Sequence, residues 1–163
     1  MRTPHNKFDY MKQRIYIDTS VIGGYFDEEF KIATQELFLE VLQGEYIIVI
    51  SSVTLGELEQ APEKVRELLS NLKIEYELIQ LNDEAVELAT EYLNENVVGK
   101  TSFDDCLHIA IATILRLDYL VSWNFKHIVN IKRIRGYNSI NIRNGYPAIE
   151  IRSPKDMINY EDE

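Results

Sequence analysis

Short runs of Ile, Val and Tyr, set between segments whose apolar residues recur every three or four positions, constrain this chain more than any other feature. The runs are Arg14-Ile15-Tyr16-Ile17-Asp18, Tyr46–Ile50, Tyr76–Leu81 and Tyr119–Ser122, with Ala148–Ile151 a shorter fifth before Pro154. Between them, Glu28–Leu42 carries Ile32, Leu37, Phe38, Val41 and Leu42 at helical spacing and stops at Gly44. Ser51-Ser52 cap a short helix through Leu55 and Leu58, and Pro62 opens another to about Leu72. Asp83 caps a helix with Ala85, Val86, Leu88, Ala89, Tyr92 and Leu93 inward, and Ser102–Leu117 is the most apolar helix. Continuous apolar strands alternating with helices predict a three-layer α/β/α domain, its central, mostly parallel five-stranded sheet covered on both faces.

At 163 residues and 45% hydrophobic, the chain fits one domain with a proper core. The expected boundaries are a loose leader over 1–13, the domain over 14–153 and an acidic C-terminal tail over 154–163. No apolar stretch approaches a membrane span, and the opening residues do not read as a signal peptide. The single cysteine, Cys106, has no internal disulfide partner and fits a reducing cytoplasm. A net charge of −10 argues against a general phosphate-coating protein. The charge is uneven, however. Asp27–Asp105 holds 19 acidic and 5 basic residues, whereas Lys126–Arg152 holds six basic residues against Glu150. Lys126, Lys132, Arg133 and Arg135 are therefore candidates for local contact with a polyanion, a solvated surface strip being the simpler alternative.

Parallel sheets gather their sites at the carboxyl ends of strands. Asp18 ends the first run, Glu57 lies in the helix behind the second, and Asn124 follows the fourth. Asp104 and Asp105 open the apolar helix that leads into the fourth. Each has a structural alternative: Asp18 a helix cap, Glu57 a solvated helix residue, Ser102 and Asp105 a capping box, Asn124 a turn residue. On a helical wheel Asp104 and His108 share a side with Ile111 and Leu115, while Ser102, Thr113 and Arg116 form the solvent side. His108 has no second His or Cys beside it and reads as a hydrogen-bonded, semi-buried histidine. An oxygen-only ligand set selects Mg²⁺ or Mn²⁺ over zinc and suits phosphodiester hydrolysis.

Four segments carry a family resemblance. Tyr16-Ile17-Asp18-Thr19-Ser20-Val21-Ile22 resembles the opening strand and first acidic position of PIN-domain nucleases. Ser51-Ser52-Val53-Thr54-Leu55-Gly56-Glu57-Leu58, Asp105-Cys106-Leu107-His108-Ile109-Ala110-Ile111-Ala112 and Leu120-Val121-Ser122-Trp123-Asn124-Phe125-Lys126-His127-Ile128 resemble the second, third and fourth motifs, in order. The resemblance implies a PIN fold and a Mg²⁺- or Mn²⁺-dependent ribonuclease, as in VapC-type toxins of toxin–antitoxin pairs. It assigns metal binding and catalysis to Asp18, Glu57 and Asp105, prefers Asp105 to the Asp104 of the wheel, and puts Asn124 where an Asp is common. Thr19, Ser122, His108 and Asp104 would then orient ligands or water. The expected partners are RNA, an antitoxin protein and a second copy of the chain. A catalytically silent PIN domain that binds RNA or protein is the alternative that Asn124 raises.

Overall fold

The computed structural model describes residues 12–95 and 102–159. In chain order the elements are β1 (Gln13–Ile17), α1 (Thr19–Gly24), α2 (Lys31–Leu42), β2 (Tyr46–Ser51), α3 (Ser52–Leu58), α4 (Glu63–Arg66), α5 (Leu68–Asn71) and β3 (Tyr76–Ile79). They continue with α6 (Asp83–Asn94), α7 (Phe103–Ile114), β4 (Tyr119–Val121), α8 (Ile131–Arg143), β5 (Ile151–Arg152) and α9 (Pro154–Met157). The strands form one five-stranded sheet in the order β3-β2-β1-β4-β5, and every pairing is parallel. Ile15 of the central strand pairs with Ile48 on one side and Tyr119 on the other.

Both faces of this sheet are covered, which explains why the strands read as unbroken apolar runs. Ile15, Ile17, Ile48, Ile50 and Val121 face a core built with Val21, Ile22, Leu37 and Phe38. Tyr16, Val49 and Leu120 face the opposite core, with Ala89, Tyr92, Ile109, Ala110 and Tyr137. Each fully buried aliphatic or aromatic side chain contributes about 1.5–3 kcal/mol relative to exposure. Among the described residues no helix is long and apolar enough to cross a membrane.

Several boundaries differ from the expectations, each for a local reason. The helix expected from Glu28 begins at Lys31, because the Asp27 carboxylate accepts from the backbone of Glu29 and Phe30 and holds a turn there. It ends as expected, with Gly44 in the left-handed region at φ +89°. Asn82, not Asp83, caps α6, its Oδ1 accepting from Ala85 N at 2.9 Å. The helix after Pro62 is broken into α4 and α5. The fifth strand is Ile151–Arg152, not Ala148–Ile151. The wheel of α7 misassigned its solvent side: Thr113 is buried, donating to Ile109 O and accepting from Asn141 Nδ2.

Helix α8 is not expected from the sequence, where its segment reads only as a basic strip. Its apolar positions are few and diluted by charge, but Tyr137, Ile140 and Asn141 lie on one buried side. Asn141 is held by Tyr92, Thr113 and Asn138, which locks the basic helix onto α6 and α7. Residues 154–159 belong to the fold: Met157 is buried and its carbonyl accepts from the Tyr46 hydroxyl at 2.6 Å. The expected leader lies, apart from Lys12 and Gln13, outside the described residues, and Gln13 already pairs with Tyr46 in the sheet.

Gly24 marks the tightest packing near the site. A Cβ there would lie 2.7 Å from Trp123 Nε1 and 2.9 Å from Thr34 Oγ1, the two atoms that hydrogen-bond each other. Gly24→Ala is therefore expected to cost about 1–3 kcal/mol in chemical denaturation. Gly23→Ala meets nothing within 4 Å and should be neutral or stabilising by about 0.5–1 kcal/mol. Equal effects at the two positions would contradict this packing.

The chain runs outward from β1 to β2 and β3, then returns to place β4 on the other side of β1. The reversal leaves a crevice at the carboxyl ends of β1 and β4.

Candidate active site

Asp18 stands at that crevice. It caps α1, with Oδ1 accepting from Val21 N at 3.3 Å and from the Ser20 hydroxyl at 2.6 Å. Oδ2 accepts from the Ser122 hydroxyl, just past β4, at 2.6 Å. The capping alternative is thus correct as far as it goes, but a cap alone does not require a buried carboxylate held from two strands. Burial pushes its carboxyl up, against the charge of His108 and the two serine hydroxyls.

Glu57 reaches the same edge from α3. The serine that ends β2 makes this possible: Ser51 Oγ caps α3 by accepting from Val53 N at 3.2 Å, and Thr54 completes a capping box. Glu57 Oε1 accepts from Thr19 Oγ1 at 3.2 Å and is bonded to His108 Nε2. His108 is fully buried, and its Nδ1 lies 2.5 Å from the Tyr16 hydroxyl, which also bonds Ser51 Oγ at 2.7 Å. Burial pulls the imidazole down, but the bond to Glu57 and the Asp18, Glu57 and Asp105 charges outweigh it and hold it above the ordinary histidine range. Burial likewise pushes Glu57 up, but the bond and charge of His108 and the Thr19 hydroxyl carry it below its ordinary value. Both directions favour the charged form of each group facing the other.

Asp105, half-buried in the first turn of α7, receives Asn124 Nδ2 at 3.4 Å. Its carboxyl is pushed up to about 6, chiefly by burial; His108 opposes this, while the Asp18, Glu57 and Asp104 carboxylates add to it. Asp104 is exposed and lines a shallow groove of about 540 Å³ with Val53, Gly56, Glu57, Gln60, Leu81 and Leu107. Ser102 caps α7 by accepting from Asp104 N at 3.2 Å, so no capping box involves Asp105. A cavity of about 510 Å³ lined by Lys12, Gly44, Tyr46, Lys73 and Tyr76 sits at the amino ends of the strands, away from these carboxylates.

Asn124 also serves the local backbone, its Oδ1 accepting from His127 N at 2.9 Å, and the Tyr137 hydroxyl of α8 pins this loop through His127 O. Lys126 lies two residues beyond Asn124. Partial burial, then the charges of Arg133 and Lys126, hold His127 below its ordinary value, so both cations lie within electrostatic reach of the loop. Lys132 and Arg135 are exposed on α8.

Donor chemistry and geometry point in different directions for a metal. The donors are carboxylates and an amide, suited to a hard cation, and two carboxyls sit above their ordinary values. Among the described residues, however, no three His, Cys, Asp or Glu side chains gather closely enough to hold one ion. Their oxygens face hydroxyl, amide and imidazole groups instead.

The model of the PIN domain matches residues 15–124. The chain belongs to the PIN domain family. The expected PIN fold is borne out, with a sheet that is wholly parallel. VapC20 from Mycobacterium tuberculosis, described as a Sarcin-Ricin loop cleaving toxin, shares this PIN fold at TM-score 0.54 and 13% identity, over 68% of this chain and 90% of that one. VapBC2 from Rickettsia felis, solved with a DNA fragment from its promoter, is similar at TM-score 0.54 and 18% identity, over 86% and 98%. A search of curated proteins returned no match.

Tyr16, Ser20 and Thr54 are not among the site candidates the sequence offers, and Ser51 reads there only as the helix cap that it is. Ser20 was detectable in principle, two residues after Asp18 where a hydroxyl folds back onto a carboxylate. Tyr16 was not, because a strand tyrosine reads as core.

Proposed function

We propose that this PIN domain is a divalent-metal-dependent endoribonuclease that hydrolyses RNA phosphodiester bonds, acting as a VapC-like toxin neutralised by an antitoxin protein. The observation that carries this reading is the electrostatic coupling of Asp105 to Asp18 and Glu57, three carboxylates drawn from separate elements within the segment that matches the family. An RNA substrate is supported by the likeness of fold to a Sarcin-Ricin loop cleaving toxin. Asp18, Glu57, Asp105 and the Asn124 amide would hold Mg²⁺ or Mn²⁺, which when bound polarises a phosphate and acidifies a water. Ser20 and Ser122 orient Asp18, and Thr19 with His108 orients Glu57.

Purified protein incubated with labelled RNA should cleave it in Mg²⁺ or Mn²⁺ and not in chelator. Cleavage that persists in chelator would overturn the metal dependence. The Asn124 hydrogen bonds favour a second reading, a silent PIN domain that binds RNA or protein, which retention of RNA without cleavage would support.

Lys126, Lys132, Arg133 and Arg135 would hold flanking phosphates. Replacing Lys132, Arg133 and Arg135 by Ala is expected to weaken RNA binding and flatten its salt dependence by about 0.7 per lost contact. An unchanged slope would make the strip a solvated surface.

A further inference from the structure

Two exposed aromatic residues stand beside candidate site residues in the chain. Phe125 is 48% exposed and follows Asn124; Phe103 is 37% exposed and stands two residues before Asp105. The chain joins these neighbourhoods, since Asn124 Nδ2 reaches Asp105 at 3.4 Å. A lone exposed phenylalanine is ordinary. Phe125 is not alone. Its ring stands edge-on to Trp123, centroids 6.0 Å apart at 63°, and Trp123 stacks on Phe30 at 4.2 Å and 18°. Trp123 is fixed by Nε1 donating to Thr34 Oγ1 and by its backbone N–H donating to Ser20 Oγ, each at 2.9 Å. That Ser20 hydroxyl is the one that holds Asp18. Phe125 is therefore an exposed ring on a rigid aromatic base tied to the candidate catalytic carboxylate, with Lys126 next in the chain.

We propose, resting on the ribonuclease reading, that Phe125 is a stacking face for an unpaired base flanking the cleaved phosphate. A π-face accepts any unpaired base, and a rigidly backed ring loses little freedom on binding it. A base inside a duplex has no free face to offer. Lys126 and Arg133, close enough to depress His127, supply positive charge for the backbone of the same strand.

The test compares wild type, Phe125→Ala, Phe125→Leu and Phe125→Tyr on a single-stranded RNA oligonucleotide, its blunt duplex, and the same strand with an abasic site beside the cut. Phe125→Ala and Phe125→Leu should each raise KM on the single strand, about 5- to 150-fold for one lost stacked base, with kcat nearly unchanged. Phe125→Tyr should restore KM, and the abasic strand should erase the difference between wild type and Phe125→Ala. Melting curves confirm that the variants fold. A KM unmoved in Phe125→Ala, or a leucine as good as phenylalanine, would overturn the stacking role and leave the ring to a protein partner. Fluorescence keeps the test separate from catalysis, because Trp123 is the only tryptophan and contacts Phe125. If wild type cleaves no RNA, the ribonuclease reading fails. Titration of wild type and Phe125→Ala with the same strand then decides the stacking role alone: a Trp123 response weakened in the variant supports it, and equal responses or none overturn it.

Discussion

Asp18→Asn should lower RNA cleavage by roughly 10²–10⁴-fold, the several kcal/mol of transition-state stabilisation that a catalytic metal supplies. The fold should survive. Asn keeps the volume and the oxygen that accepts from one of the two serine hydroxyls, and its amide can donate to the other. The carboxyl of Asp18 is pushed up by burial, so the metal-free protein gives up little when that charge is removed. Its melting temperature should stay level or rise while cleavage disappears. A variant that cleaves as well as wild type would exclude Asp18 from the chemistry and leave it a helix cap.

The second large effect is on stability and carries a pH signature. Folding raises the Asp105 carboxyl from 3.8 to about 6, chiefly by burial. A group raised on folding contributes stability that is complete below its unfolded value and lost as pH climbs through the folded one. Chelated wild-type protein should therefore lose stability from Asp105 between pH 4 and pH 7, by about 1–2 kcal/mol once solvent screening of this half-buried group is allowed for. His108 and Glu57 titrate too, and comparison with Asp105→Asn isolates the carboxyl. The variant should melt higher than wild type at pH 7 without metal, and its melting shift on adding Mn²⁺ should shrink. If Asp105 were only a helix-terminal charge, the variant would instead be less stable by about 0.3–1 kcal/mol and keep the full metal shift.

The fold was legible wherever burial writes a pattern. Ile15-Tyr16-Ile17 and Ile48-Val49-Ile50 send alternate side chains into two cores, so they can only be central strands. Helix α8 was not legible, because its buried side is built from Tyr137, Ile140 and a hydrogen-bonded Asn141 among basic residues. Asn141 reads as polar surface until Tyr92 and Thr113 are seen to meet it. At the site, the choice between Asp104 and Asp105 turned on motif order. A wheel assumes a helix already wound, but these residues occupy the first turn, and Asp104 turns out to solvent. The Tyr16–His108–Glu57 chain joins residues far apart in sequence. Burial of His108 decides it, and no local spacing encodes that.

In the proposed function Asp18, Glu57 and Asp105 act together on a divalent cation, a set that the described side chains do not gather around one ion. Calorimetric titration of Mn²⁺ into wild type, Asp18→Asn, Glu57→Gln and Asp105→Asn tests it most directly. Saturable binding to wild type is expected, weakened about tenfold or more by each single substitution, because affinity for a hard cation follows the number of charged oxygen ligands. No saturable binding to wild type, or an affinity unchanged by all three substitutions, would contradict it.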